Sequence, residues 1–152
     1  MEKIHFSIHI NAPKEKVWNT MLNDATYRQW TTAFSPGSHY VGGWDEGSEI
    51  KFFGNDEQGN PSTEGMYSRI KENRAHEFIS IEHLGMIKDG VIDTTSEAVK
   101  KWLPAFENYT FKEVVGGTEL SVDIDITDEY KTMFEDMWPR ALKDLKKLAE
   151  HV

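Results

Sequence analysis

Three side chains in this 152-residue sequence combine acid/base chemistry with a position that alternation turns inward: Glu64, His83 and Glu107. Side chains of a strand alternate between faces, so a strand can be aligned by its apolar members. That alignment puts Ile50 with Phe52, Ile79 with Ile81, and Tyr109 with Phe111 on one concave side. The same count carries His83 and Glu107 to that side near strand ends, while Met66 and Ile70 bring Glu64 and Ser68 with them. A carboxylate or imidazole beside an apolar space can anchor the polar end of a ligand or move a proton. Other chemistries lack their residues. His5 and His9 share a strand face, but four residues hold them about 13 Å apart, too far for one metal ion. Asp123-x-Asp125-x-Thr127 has neither the glycine nor the closing glutamate of a calcium loop. His76-Glu77 runs on into Phe78-Ile79-Ser80 rather than a second histidine, there is no cysteine, and no phosphate-binding glycine loop occurs. The serines lie outside any nucleophile elbow. No metal, no cofactor and no covalent catalysis are expected.

A second group of residues suits binding. Trp30, Phe34, Tyr40, Phe52, Met66, Tyr109, Met133, Phe134, Met137 and Trp138 are the expected wall of an apolar pocket. Aromatic rings with few polar groups accept a flat or lipid-like ligand, and methionine lets such a wall adapt.

The elements that must position these groups can be read from periodicity. Residues 128–152 carry Tyr130, Phe134, Met137, Trp138, Ala141, Leu142, Leu145, Leu148 and Ala149 at steps of three and four, the stripe of an amphipathic helix. Asp128 is the expected N-cap, and Pro139 is expected to kink the helix because it deletes a hydrogen bond. The stripe is broad and aromatic at its start, narrow and aliphatic at its end. Residues 3–10 alternate as a half-buried strand, and Ala12-Pro13 opens a helix with Val17, Trp18, Met21 and Leu22 on its buried face. A short helical stretch over 26–30 follows. Strands are expected over 38–42, 48–54, 62–71, 77–83, 105–114 and 119–126, the last two paired across Gly116-Gly117. Between the strands 77–83 and 105–114, residues 84–104 form the one long interruption, with Thr94-Thr95-Ser96-Glu97 resembling a capping box before a short helix. This stretch reads as a lid or as peripheral packing around Trp102. A run of antiparallel strands closed by one amphipathic helix is an α+β pattern.

Composition narrows the partners. A chain of this length buries roughly 70% of its unfolded surface and reads as one domain over 1–152. Hydrophobic residues make up 38% and charged residues 28%, with a formal net charge of −9, which disfavours nucleic acid and anionic membrane as partners. No apolar run approaches the ~20 residues of a membrane helix, and strand alternation begins at once, so no membrane insertion, no signal peptide and a cytoplasmic location are expected. The expected state is a monomer or weak homodimer.

Four segments carry a resemblance to a known family: Ile10-Asn11-Ala12-Pro13-Lys14-Glu15-Lys16-Val17-Trp18, Phe106-Glu107-Asn108-Tyr109-Thr110-Phe111, Gly116-Gly117-Thr118-Glu119-Leu120 and Met137-Trp138-Pro139-Arg140-Ala141-Leu142-Lys143-Asp144-Leu145. With them the chain resembles the START-like (Bet v 1-like, SRPBCC, helix-grip) superfamily, and within it the branch related to the C-terminal domain of the activator of Hsp90 ATPase. The resemblance implies a curved seven-stranded antiparallel sheet wrapped around the C-terminal helix, two short helices after the first strand, and an apolar cavity. It also implies a choice of roles, since relatives range from lipid carriers to polyketide cyclases to co-chaperone domains. The leading expectation is binding of a small apolar, lipid-like or aromatic polyketide-like ligand. The alternatives are a cyclase or hydrolase using an inward Glu or His, and an interaction module with a chaperone partner. Residues 84–104 depart from the family pattern by their length.

Overall fold

The computed structural model describes residues 2–56 and 58–151. Alternation makes the first strand: in β1 (Glu2–Ile10), Ile4 and Ile10 are buried and Phe6 and Ile8 half-buried, while His5, Ser7 and His9 face water. Helix α1 (Lys14–Leu22) buries Val17, Trp18, Met21 and Leu22. Pro13 stands at its N-cap rather than in its first turn, where its missing N–H again costs nothing. Asn23 ends α1 and starts α2 (Asp24–Trp30), its side chain accepting the Ala25 N–H at 3.0 Å. That cap brings the start of α2 two residues ahead of the expected position 26. A 3-10 turn over Thr31–Ala33 follows.

The remaining strands are β2 (His39–Gly42), β3 (Glu49–Asn55), β4 (Pro61–Arg74), β5 (Phe78–Lys88), β6 (Val91–Asp93), β7 (Ala105–Val114) and β8 (Gly117–Ile126). They form one curved, unclosed antiparallel sheet in the order β1-β8-β7-β5-β4-β3-β2, with β6 beside β5. Eight strands stand where seven were expected, and the extra one comes from residues 84–104. There β5 continues to Lys88 and reverses at Asp89-Gly90, both with positive φ (51° and 76°), as a tight hairpin requires. Asp93 then accepts the Thr95 and Ser96 N–H groups at 3.1 and 2.9 Å, and Ser96 caps the short α3 (Glu97–Lys100). Ser96, not Thr94, is therefore the cap. Ile87, Val99 and Ala105 are buried outside the main core, so this excursion packs at the periphery instead of covering the concave face.

Gly117 shows why the β7–β8 turn carries two glycines. Its φ is +154°, and a Cβ there would stand 2.1 Å from the Ile10 carbonyl oxygen, so a side chain would push β1 off the sheet edge.

The last helix, α4 (Asp128–Glu150), starts one residue earlier than expected, with Thr127 rather than Asp128 at the N-cap. Trp138, Ala141, Leu142, Leu145 and Ala149 are its buried residues. The element continues through Pro139, which is exposed, so the Glu135 carbonyl that loses its partner sits on the water side where solvent replaces it. Helix α4 packs on β1, α1, α2 and the 3-10 turn.

Its C-terminal end is fastened to the start of the chain. Glu150 Oε2 accepts the Asn11 N–H at 2.7 Å and the Lys146 ammonium at 2.5 Å, and Lys146 also donates to the His9 carbonyl at 2.8 Å. The Lys146 hydrogen bond, followed by the Asn11 N–H, holds the Glu150 carboxyl below its ordinary value of 4.5. A carboxyl lowered in the folded state adds stability above its unfolded pKa and loses it as pH falls through the folded value. Below about pH 4.5 the melting temperature is therefore expected to fall more steeply for the native chain than for Glu150→Gln, a difference readable in thermal melts across pH 3–7.

Candidate functional site

The inward faces of β3, β4, β5 and β7 meet above α2 and the N-terminal half of α4, and two kinds of side chain gather there. The first is a line of polar groups. Ser68, fully buried on β4, lies 2.8 Å from His83 Nδ1 on β5. His83 Nε2 stands 3.4 Å from Glu107 Oε1 on β7, and the Tyr109 hydroxyl donates to Glu107 Oε2. An ionised carboxylate only accepts, so Nε2 bears the proton facing Glu107, and in an uncharged ring Nδ1 accepts from Ser68. At 3.4 Å the His83–Glu107 contact is looser than a good N–H···O bond.

A bulge makes this line. Tyr67 pairs with Gly85 but Ser68 pairs with His83, leaving Leu84 as an extra residue in β5. Without it Ser68 would face Leu84, because a one-residue slip exchanges the faces of a strand. Glu107 lies between Ile81 and Ile124, both buried, so apolar side chains flank the carboxylate on either strand. Its side chain keeps 22% of its exposure against 8% for His83, which makes Glu107 the open end of the line and Ser68 the closed one.

The second kind is aromatic, organised around two rings. Trp138 meets Phe34 edge-on at 4.8 Å between centroids, Trp30 at 6.0 Å, Tyr109 at 6.1 Å and Phe6 at 6.2 Å. Tyr27 meets Tyr40 at 5.0 Å, Trp30 at 5.5 Å and Phe52 at 6.3 Å. Trp30 joins the two, its indole N–H satisfied by the Met21 carbonyl at 3.0 Å. The Tyr40 hydroxyl and the Trp44 indole both donate to the Leu22 carbonyl, at 2.6 and 3.0 Å, which ties the end of α1 to this wall. Burial, and then the charge of Glu107, hold the Tyr27 hydroxyl well above the usual phenol range, so it stays neutral.

The structure therefore brings together Trp30, Phe34, Tyr40, Phe52, Tyr109 and Trp138, with His83, Glu107 and Ser68 beside them. Phe34, Tyr40, Phe52, Met66, Phe134 and Met137 are half-buried. Two of the expected residues lie elsewhere. Met133 is 45% exposed on α4, and Glu64 is exposed in a separate polar depression with Asn55, Asp56 and Ser62. Tyr27, Phe6 and Trp44 also belong to this aromatic cluster, and sequence reading missed them. Tyr27 had a signal, lying one helical turn before Trp30, and Phe6 had another in the alternation of β1; Trp44, in a loop, had none. Among the described residues no three His, Asp or Glu side chains form a metal-binding group, and no helix is long and apolar enough to cross a membrane.

Comparison with known proteins follows the same architecture. A protein from Nitrosomonas europaea superposes with a TM-score of 0.74 at 13% identity, over 97% of this chain and 94% of that one. The Aha1 dimer from Colwellia psychrerythraea gives 0.71 at 17% identity, covering 99% and 97%. An AHSA1-like protein from Aeromonas hydrophila gives 0.69 at 18%, covering 98% and 92%. At these identities the likeness concerns the fold. No curated protein matches the chain. The model of the family described as Activator of Hsp90 ATPase homolog 1-like protein matches residues 11–150, nearly the whole chain, and the protein belongs to that family.

Proposed function

We propose that this chain is a cytoplasmic binder of a small, predominantly apolar ligand, held between the concave sheet face and the aromatic half of α4. The observation that carries this reading is the set of inward apolar side chains that the helices leave half-exposed: Phe6, Phe34, Phe52 and Phe134 stand against the core without being closed into it. Partly wet apolar surface around a few polar groups is the usual composition of a ligand site. The test is an NMR titration with lipids and aromatic polyketide-like compounds. Shifts at Phe134, Met137 and the Trp138 indole are expected, and a series that leaves all three unmoved overturns the reading.

Two observations favour other uses of the same architecture. The Ser68–His83–Glu107 line supports an enzyme of acid/base type, with Glu107 as the group that meets substrate; Ser68 is too deeply buried to be its nucleophile. The family match supports a chaperone-facing module, tested by complex formation with a chaperone of the Hsp90 type and by stimulation of its ATPase. Absence of both the complex and the stimulation would remove that alternative.

A further inference from the structure

We propose that Glu107 anchors the positively charged end of its ligand, so that the site selects a hydrophobic ammonium compound, an aryl or alkyl amine, over neutral or anionic molecules of the same shape. This deepens the binding reading above and rests on it. Three observations converge on the charge of the ligand. First, the Glu107 carboxylate is paired with no lysine or arginine among the described residues; its partners are the Tyr109 hydroxyl and His83 Nε2. Two oxygens offer about four acceptor positions, and two of them are taken. Second, the carboxylate stands between Ile81 and Ile124, and a partly desolvated anion is unfavourable until a cation or further donors reach it. Third, a chain of ring contacts leads from the carboxylate to the half-buried Phe34 and Phe6. Tyr109, which holds Glu107, is in ring contact with Trp138, and Trp138 with Phe34 and Phe6. Ring faces attract an organic cation and do nothing comparable for an alcohol or an acid.

The rest of the molecule is consistent with this preference. The formal net charge of −9 concentrates cations near the surface and opposes the approach of anions such as fatty acids. Burial, with the Glu107 charge nearby, keeps the Tyr27 hydroxyl protonated, so this phenol adds no second negative charge that would have to be balanced. The open end of the polar line is the carboxylate itself, which places its free acceptor positions where a ligand arrives.

The experiment uses three probes with one ring system: 1-naphthylmethylamine, 1-naphthylmethanol and 1-naphthoic acid, each titrated into the full chain by calorimetry and NMR. The amine is expected to bind roughly tenfold or more tightly than the alcohol, with the acid weakest. Glu107→Gln is expected to erase the preference while leaving alcohol binding in place, and Glu107→Asp, which keeps the charge, to retain part of it. Asp136→Asn changes net charge equally at an exposed position and is expected to leave the preference intact. Equal binding of amine and alcohol at Trp138 overturns the anchor and leaves the pocket standing. A preference that survives in Glu107→Gln also overturns it, by assigning the selectivity to the overall charge. Absence of binding by all three probes removes the pocket together with its anchor.

Discussion

Trp138→Ala is expected to destabilise the protein by about 3–5 kcal/mol, the usual cost of emptying a closed aromatic site. Only 3% of Trp138 is exposed, and its indole contacts Phe6, Trp30, Phe34 and Tyr109, rings that come from β1, α2, the end of the 3-10 turn and β7. The surrounding rings are too rigid to collapse fully into the space. In a domain of this size the loss corresponds to a fall of the order of 10 °C in melting temperature. Denaturant unfolding separates two outcomes. A solid site gives the full loss; a site already open on the ligand side gives a smaller one together with a larger loss of ligand binding, because fewer packing contacts disappear. Met133→Ala is the control. Four residues before Met137 on the same helix but 45% exposed, it is expected to change stability by no more than about 0.5 kcal/mol. A Trp138→Ala variant as stable as that control would show that the ring is not the junction described above.

The second large effect is expected at His83. Replacing it by alanine removes a buried ring and strips two partners at once, the hydroxyl of Ser68 and the carboxylate of Glu107. An orphaned buried hydroxyl alone costs about 1–3 kcal/mol, and with the space left by the ring the total is expected to reach roughly 2–5 kcal/mol. Ser68→Ala removes one neutral hydrogen bond and is expected to cost only about 1 kcal/mol. The double variant is the informative one. Once His83 is gone, deleting the Ser68 hydroxyl removes an unpaired group, so the double variant should lose less than the sum of the two single losses, by about 0.5–3 kcal/mol. Additive losses would mean that the 2.8 Å contact carries no coupling, and the polar line would then be a coincidence of packing.

His83 and Glu107 also mark the boundary between what sequence and structure decide. Alternation along a strand assigns a side chain to a face, and it assigned Ile79, Ile81, Tyr109, Phe111, Ser68, His83 and Glu107 to the concave one; all of them lie there or at its rim. The same arithmetic at helical spacing placed Trp138, Leu142 and Leu145 in the core. The fold class was legible for this reason, since face and period are local properties of the chain. The partners across strands were not. That Ser68 meets His83 depends on the Leu84 bulge, and a bulge is set by how two strands fit when the sheet curves, which no single strand encodes. Depth was equally illegible. Met133 and Glu64 have suitable types and parity but emerge into water, because α4 lies against β1 and the small helices and leaves its first turns and the β3–β4 end uncovered. Periodicity states which way a side chain points; how much protein stands in front of it is decided only when helix and sheet have docked.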